Sequence, residues 1–258
     1  MTSPTGVEWA ERRVTVGARD LRYVVAGEGE PLVWLHGGFG LHPTAGTDLL
    51  TRSFHLIAFE LPGFGPSGDD ETVQSFDELS EIVAGAIDAV GLRRYVLHGT
   101  SFGGATALHL ALGHPDAVTR LILESPAAFR PPGWTPPDPE TVRRGLLRHP
   151  ERARRVEIDP AVMHRQREVV SRLSLTIDRG VLAARLRELR VPMLVMFGDA
   201  DTLTPAELAR MYCENAPECS SVLVHDAAHV ISVDQPEEYA TAVREFVRRQ
   251  AAHGVTGN

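Results

Sequence analysis

Short apolar runs that do not alternate with polar residues recur along the chain, at positions 32–35, 54–59, 95–98, 121–123, 193–197 and 222–224. Runs of this length with both faces apolar are the pattern of strands buried on both sides of a sheet. Between them lie stretches with helical spacing, and the pattern predicts helices over 75–90, 101–112, 205–215 and 236–250. The last two carry Pro near the first turn followed by Glu, which suits a helix start. Segments 13–16 and 21–25 read as a hairpin turning at 17–20, an antiparallel edge on an otherwise parallel sheet. Strands alternating with helices make the fold class α/β, a mostly parallel sheet flanked by helices.

One region breaks the rhythm. From Pro126 to about Arg187 the chain opens with Pro131-Pro132 and Pro136-Pro137, turns Arg-rich and helical, and shows little sign of a buried strand. This stretch is expected to be an insertion after the sixth strand, a small helical cap over 126–187, with the core formed by 1–125 and 188–258. The 258 residues suffice for one large domain carrying such an insertion.

Composition narrows the function classes. Apolar content of 43% and charged content of 23% are those of an ordinary globular protein, and no stretch reaches the apolar length of a membrane span. Residues 1–13 contain Glu8, Glu11, Arg12 and Arg13 and no apolar leader core, so a cytoplasmic location is expected. A net charge of −8 without a basic, aromatic-interleaved cluster argues against nucleic acid. All 26 basic residues are Arg, which excludes Schiff-base lysine chemistry and a P-loop lysine. Cys213 and Cys219 are too few for a disulfide framework and are expected to be idle or buried thiols. No metal-ligand constellation or nucleotide fingerprint is present, so no cofactor is expected, and a homo-oligomer is compatible with the sequence.

The chemistry starts at Gly99-Thr100-Ser101-Phe102-Gly103, a G-x-S-x-G pattern between an apolar run and a small-residue helix. In a sharp strand-to-helix turn this pattern lifts a serine hydroxyl above the sheet edge, and the glycines make room beside it. A serine nucleophile needs a histidine base and a carboxylate to orient it. Downstream, the run 193–197 is followed by Gly198-Asp199-Ala200-Asp201, and the run 222–224 by His225-Asp226-Ala227-Ala228-His229. Both follow strands, where open α/β sheets hold their ligands, and each position has a neighbour of the same residue type.

With His36-Gly37-Gly38 ahead of them, Leu61-Pro62-Gly63-Phe64-Gly65-Pro66-Ser67 as a further turn, and Ser101 at the elbow, the residues from about 13 to 246 resemble the α/β-hydrolase superfamily. The resemblance implies the α/β-hydrolase fold, a catalytic triad of Ser101, Asp201 and His229, and an oxyanion hole from the backbone N–H groups of Phe102 and Gly38, with Phe39 next. It selects Asp201 over Asp199 by distance from the strand-ending glycine. It selects His229 over His225 by the Pro-Glu helix start that follows. Glu124 is the substitute acid, because some similar hydrolases draw theirs from that position. His36 is expected to order its loop, while His98, His109 and His114 read as packing or surface residues.

The expected reaction is hydrolysis of a small-molecule carboxylic ester or lactone through an acyl-enzyme. The chain also resembles the C–C bond hydrolases of aromatic ring-fission products, and in that subgroup a cap arginine grips substrate carboxylate, a role that would fall to Arg165 or Arg167. The subgroup usually has Asn before the nucleophile and Trp after the histidine, where this chain has Thr100 and Val230, so C–C cleavage ranks second. Gly37, Thr100 and Val230, with His36, are further substrate-binding candidates. A cofactor-free haloperoxidase or perhydrolase, and a non-catalytic ligand receptor on the same scaffold, complete the alternatives.

Overall fold

The computed structural model describes residues 5–65, 71–130, 133–135, 137–154 and 156–253. Pro66, Ser67, Pro131, Pro132 and Pro136, singled out above, lie outside them. The six apolar runs are all strands, extended by a few residues: β3 (Glu30–Leu35), β4 (Phe54–Phe59), β5 (Tyr95–Thr100), β6 (Val118–Glu124), β7 (Met193–Gly198) and β8 (Cys219–Val224). The expected hairpin is β1 (Ala10–Val16) and β2 (Arg19–Ala26), turning through Gly17 at φ 60. The eight strands form one sheet in the order β1-β2-β4-β3-β5-β6-β7-β8, antiparallel at β1-β2 and β2-β4 and parallel elsewhere.

The non-alternating pattern has its reason in the packing. Val33 and Leu35 of β3, with Ile57 and Phe59 of β4, face one apolar cluster, while Leu32, Trp34, Leu56 and Ala58 face the other. Every residue of these strands that enters the core enters one of two cores, so no polar alternation survives. On the first face pack α2 (Phe76–Ala89) and α3 (Phe102–Gly113), and on the second α9 (Pro236–His253), whose Tyr239, Ala240 and Val243 are buried. The helix α1 (Ala45–Leu50) packs against α9.

Between β6 and β7 the chain forms α4 (Pro139–Gly145), a 3-10 turn (Pro150–Arg152), α5 (Pro160–Ser174) and α6 (Arg179–Leu186). Asp138, Asp159 and Asp178 cap the three helices through their side chains, and Pro139 and Pro160 occupy first-turn positions. After β7 come a 3-10 turn (Ala206–Leu208) and α7 (Ala209–Cys213), and α8 (Ile231–Asp234) precedes α9. The helix expected over 205–215 is thus two shorter pieces, because Pro205 starts a 3-10 turn instead of an α-helical one. Among the described residues no helix is long and apolar enough to cross a membrane.

The cysteine expectation is corrected. Cys213 ends α7 and Cys219 opens β8, and the intervening turn folds the chain back so that their Cα atoms lie 4.9 Å apart and the sulfurs are bonded. Sequence spacing alone carried no sign of that reversal.

Candidate active site

Ser101 sits between β5 and α3 at φ 52, a left-handed conformation that a serine adopts only under constraint. The constraint is backbone packing. A Cβ on Gly103 would stand 2.3 Å from the carbonyl oxygens of Leu35 and His36, and one on Gly99 2.3 Å from the carbonyl of Gly103. Both pattern glycines are therefore required by the close crossing of α3 over β3 and β5. The Ser101 N–H donates to the Glu124 carbonyl (2.9 Å), and the Ser101 carbonyl accepts from Ala127 (3.0 Å), which lock the elbow to the end of β6.

The hydroxyl and the imidazole, 128 residues apart, meet: Ser101 Oγ lies 2.8 Å from His229 Nε2. His229 Nδ1 lies 2.9 Å from Asp201 Oδ2, which fixes the tautomer with the proton on Nδ1 and leaves Nε2 to accept the serine proton. The Asp201 and His229 side chains are 0% and 6% exposed. Asp201 is satisfied on both oxygens: Oδ1 accepts from the N–H groups of Leu203 (2.8 Å) and Thr204 (2.9 Å), and Oδ2 also accepts from the Thr204 hydroxyl (2.6 Å). Burial raises the Asp201 carboxyl, but the neighbouring His229 and the hydrogen bonds from His229 and Thr204 more than offset this, and its pKa lies below the ordinary carboxylate value.

The neighbours of the same residue type, Asp199 and His225, pair with each other. His225 Nδ1 contacts Asp199 Oδ2 at 3.1 Å on the surface, with His225 80% exposed. Glu124 is fully buried and engaged elsewhere, Oε1 accepting from the Ser232 N–H and Oε2 from the Thr100 hydroxyl, both at 2.7 Å. Desolvation raises its pKa, with the Ser232 and Thr100 hydrogen bonds opposing. Thr100 Oγ1 in turn accepts from Trp34 Nε1 at 3.2 Å. The Thr100 hydroxyl is thus spent on a buried Trp34–Thr100–Glu124 chain beneath the elbow, which corrects the expectation that it faces substrate.

The Gly37–Gly40 loop lies beside Ser101, since a Cβ on Gly37 would stand 3.5 Å from Ser101 Cβ. It turns through a Gly40 N–H to Gly37 carbonyl bond of 3.2 Å with Gly40 at φ 93. His36 orders it: Nδ1–H donates to the Gly37 carbonyl (2.7 Å) and Nε2 accepts from the Leu61 N–H (3.0 Å). Burial, the main cause, drives the His36 pKa from 6.5 to about 3, so the ring is a neutral strut between two loops and not a substrate contact. Among the described residues no acceptor takes the N–H groups of Gly38, Phe39 or Phe102. Donors of that kind, at a loop and a helix N-terminus beside a nucleophile, can receive developing negative charge.

Helix α5 covers this loop. A Cβ on Gly38 would meet Val170 at 3.2 Å and one on Gly40 would meet Gln166 at 3.2 Å. Of the two arginines named from the sequence, Arg165 donates to the Gly65 carbonyl (2.7 Å), and the exposed Arg167 leans on Met163 of its own helix (3.2 Å). The cation that sequence reasoning missed is Arg130, stacked 4.1 Å over Trp134 and donating to Ser174 at 3.2 Å, with no carboxylate within ion-pair distance among the described residues. Burial lowers its pKa to about 10. The Val230 N–H donates to the Leu146 carbonyl (3.1 Å), tying the histidine loop to the insertion. Asp234, also missed, accepts from the N–H groups of Arg148 (2.9 Å), His149 (2.8 Å) and Ala228 (2.8 Å).

Comparison with known proteins shows the family. The Alpha/beta hydrolase family matches residues 32–242. A 2-hydroxy-6-oxo-6-(2'-aminophenyl)hexa-2,4-dienoic acid hydrolase of Metapseudomonas resinovorans is 24% identical, over 94% of this chain and 92% of its own. A pimeloyl-[acyl-carrier protein] methyl ester esterase of Yersinia enterocolitica is 29% identical, over 90% and 98%. The solved 2-hydroxy-6-oxo-6-phenylhexa-2,4-dienoate hydrolase of a Rhodococcus strain superposes with a TM-score of 0.77 at 22% identity, over 94% of this chain and 99% of that one. A match spanning most of the sheet, both glycine loops and all three strand ends described above leaves one reading of kinship: the chain belongs to the Alpha/beta hydrolase family.

Proposed function

We propose that this protein hydrolyses a small-molecule carboxylic ester or lactone through a serine acyl-enzyme, with Ser101, His229 and Asp201 as the triad and residues 126–187 as a cap. The observation that carries the reading is the unbroken line Ser101 Oγ, His229 Nε2, His229 Nδ1, Asp201 Oδ2, at 2.8 and 2.9 Å. Ser101 Oγ attacks the carbonyl carbon while Nε2 takes its proton. The carbonyl oxygen becomes an oxyanion held by the N–H groups of Phe102 and of Gly38 or Phe39, a contribution of roughly 3 kcal/mol per donor. The imidazolium, steadied by Asp201, returns the proton to the leaving alkoxide, and the same ring then deprotonates the water that releases the acid.

C–C bond hydrolysis of a vinylogous diketo acid is the second reading, and a specific observation favours an anionic substrate. Arg130 is a half-buried guanidinium without an acid partner among the described residues, and its contact Ser174 ends the helix whose Gln166 and Val170 stand over Gly40 and Gly38. A cation in that setting gains most from a carboxylate brought in by a ligand. The test is one panel of short esters, lactones and vinylogous diketo acids, with neutral and carboxylate-bearing members, run on wild type, Ser101→Ala and His229→Ala. Turnover at the uncatalysed rate in both variants is expected. Activity retained in either variant overturns the triad, and turnover of the diketo acids alone replaces ester by C–C cleavage.

A further inference from the structure

Thr204 is a residue that neither the sequence reading nor kinship assigned. It is fully buried, three residues past Asp201 on the loop after β7. Its hydroxyl lies 2.6 Å from Asp201 Oδ2 and 3.2 Å from His229 Nδ1, and its own N–H donates to Asp201 Oδ1 at 2.9 Å. The Ser125 carbonyl, at 3.4 Å, is the remaining polar neighbour of the hydroxyl. A hydroxyl has one proton to give, and the shortest contact takes it, so Thr204 donates to Oδ2. That oxygen is the one that also receives His229 Nδ1–H.

We infer that Thr204 is a positioning residue of the triad, a fourth member whose hydroxyl fixes the angle between the Asp201 carboxylate and the His229 ring and tempers how strongly the carboxylate pulls on the imidazole proton. The inference rests on the triad reading above. Two physical steps carry it. First, the backbone donors hold Oδ1, but without Thr204 only the histidine holds Oδ2, and the carboxylate is then free to rock about its remaining bonds. Second, the two effects of the hydroxyl on the imidazole oppose each other. Donation to Oδ2 drains charge from the carboxylate and makes the ring less basic. The oxygen lone pair facing Nδ1–H makes it more basic. At 2.6 Å against 3.2 Å the first wins.

Other charged groups act on the ring but are common to the variants. Glu124 of β6 acts on it through space, Asp201 touches it, and Asp234, the last residue of α8, is held by three backbone N–H groups. Asp226 and His149, paired with each other at 2.7 Å, lie on the outer side of the histidine loop.

The experiment compares wild type, Thr204→Val, Thr204→Ser and Ser101→Ala, on the ester that wild type turns over, with full pH profiles and unfolding curves for each. Thr204→Val keeps the shape and the backbone donor and removes only the hydroxyl. It is expected to lower kcat by about tenfold with KM unchanged, the size of effect that outer hydrogen bonds have on an oriented reacting group. Its acid limb is expected to move to higher pH, as loss of the shorter contact, to Asp201 Oδ2, implies. Thr204→Ser restores both. A kcat within twofold of wild type, a loss of stability with the acid limb unmoved, or a serine variant that fails to rescue would each overturn the inference. Ser101→Ala separates the two claims: activity there sinks the triad itself, whereas a dead Ser101→Ala beside an unaffected Thr204→Val sinks only Thr204.

Discussion

At Ser101 the backbone strain and the chemistry occupy the same atoms. Left-handed φ at a residue with a Cβ costs on the order of 1–3 kcal/mol, and among the described residues three non-glycine residues adopt it, Ser101, Ser125 and Asp226. All three lie just past the C-terminal ends of parallel strands, around the candidate site. Ser101→Gly is expected to relieve the strain, and even after glycine's extra chain entropy in the unfolded state it gains about 1 kcal/mol relative to Ser101→Ala. Both variants lose the Ser101 hydroxyl, so the gain separates stability from activity. Urea unfolding of the pair is the measurement, and equal midpoints would show that the elbow carries no net strain. The elbow was legible in the sequence because its glycines are demanded by backbone contacts that no side chain could relieve. The preference for Asp201 over Asp199 and for His229 over His225 came only from the family resemblance, since neighbours of the same type differ in where the turn aims them, and the structure brings Asp201 and His229 together. Thr204 left a faint local sign. Asp followed two and three residues on by free backbone N–H groups is an Asx turn, and a hydroxyl at its end falls back on the carboxylate.

The elements divide by what holds them. Strands were read correctly because each is buried on both faces, so their composition reports their position. The insertion carries no such code: α5 alone of its helices presents a long buried stripe, Gln166, Val169 and Leu173, and it is held to the core by contacts between residues far apart in sequence. The Cys213–Cys219 bridge was missed for the same reason, its geometry being set by a chain reversal and not by spacing. One carboxylate ties the insertion to the histidine loop. Asp234 gathers the N–H groups of Arg148 and His149 from the insertion and of Ala228, next to His229, and is fully buried. Asp234→Asn keeps one acceptor and turns an N–H₂ group toward donors, leaving at least one buried N–H unpaired. The expected loss is about 2 kcal/mol of stability. A fall in kcat should accompany it, because the loop that aims His229 loses its brace. Unfolding midpoints and ester kinetics on the same preparation test the link, and a stability loss with kcat intact would make Asp234 a fastener only.

For the whole molecule, two neutral histidines buried against the sheet make stability depend on pH in a defined window. Burial holds both His36 and His98 near a pKa of about 3, against 6.5 when exposed. Between those values the unfolded chain binds a proton at each ring and the native chain does not, so stability is present above about pH 6.5 and is lost as pH falls through the window. Each ring contributes a slope of at most about 1.4 kcal/mol per pH unit. Glu124 acts with the opposite sign: its folded pKa is raised from 4.5, so it costs stability as pH rises above that value and partly masks the histidine slope. The masking is common to wild type and a histidine variant, and a difference between them removes it. Among the described residues, His98 accepts from or donates to only the Tyr239 hydroxyl at 3.2 Å, and its Nδ1 is buried without a partner. His98→Gln can keep the tyrosine contact while abolishing the titration. Its unfolding free energy at pH 7 is expected to fall modestly, while the slope between about pH 6.5 and 5 flattens by about one proton's worth relative to wild type. Urea titrations at half-unit steps through that window read the difference directly. Parallel curves would mean that His98 gains its proton without unfolding, through an opening of the α9 side of the sheet, and that the two-sided core is less sealed at β5 than its burial implies.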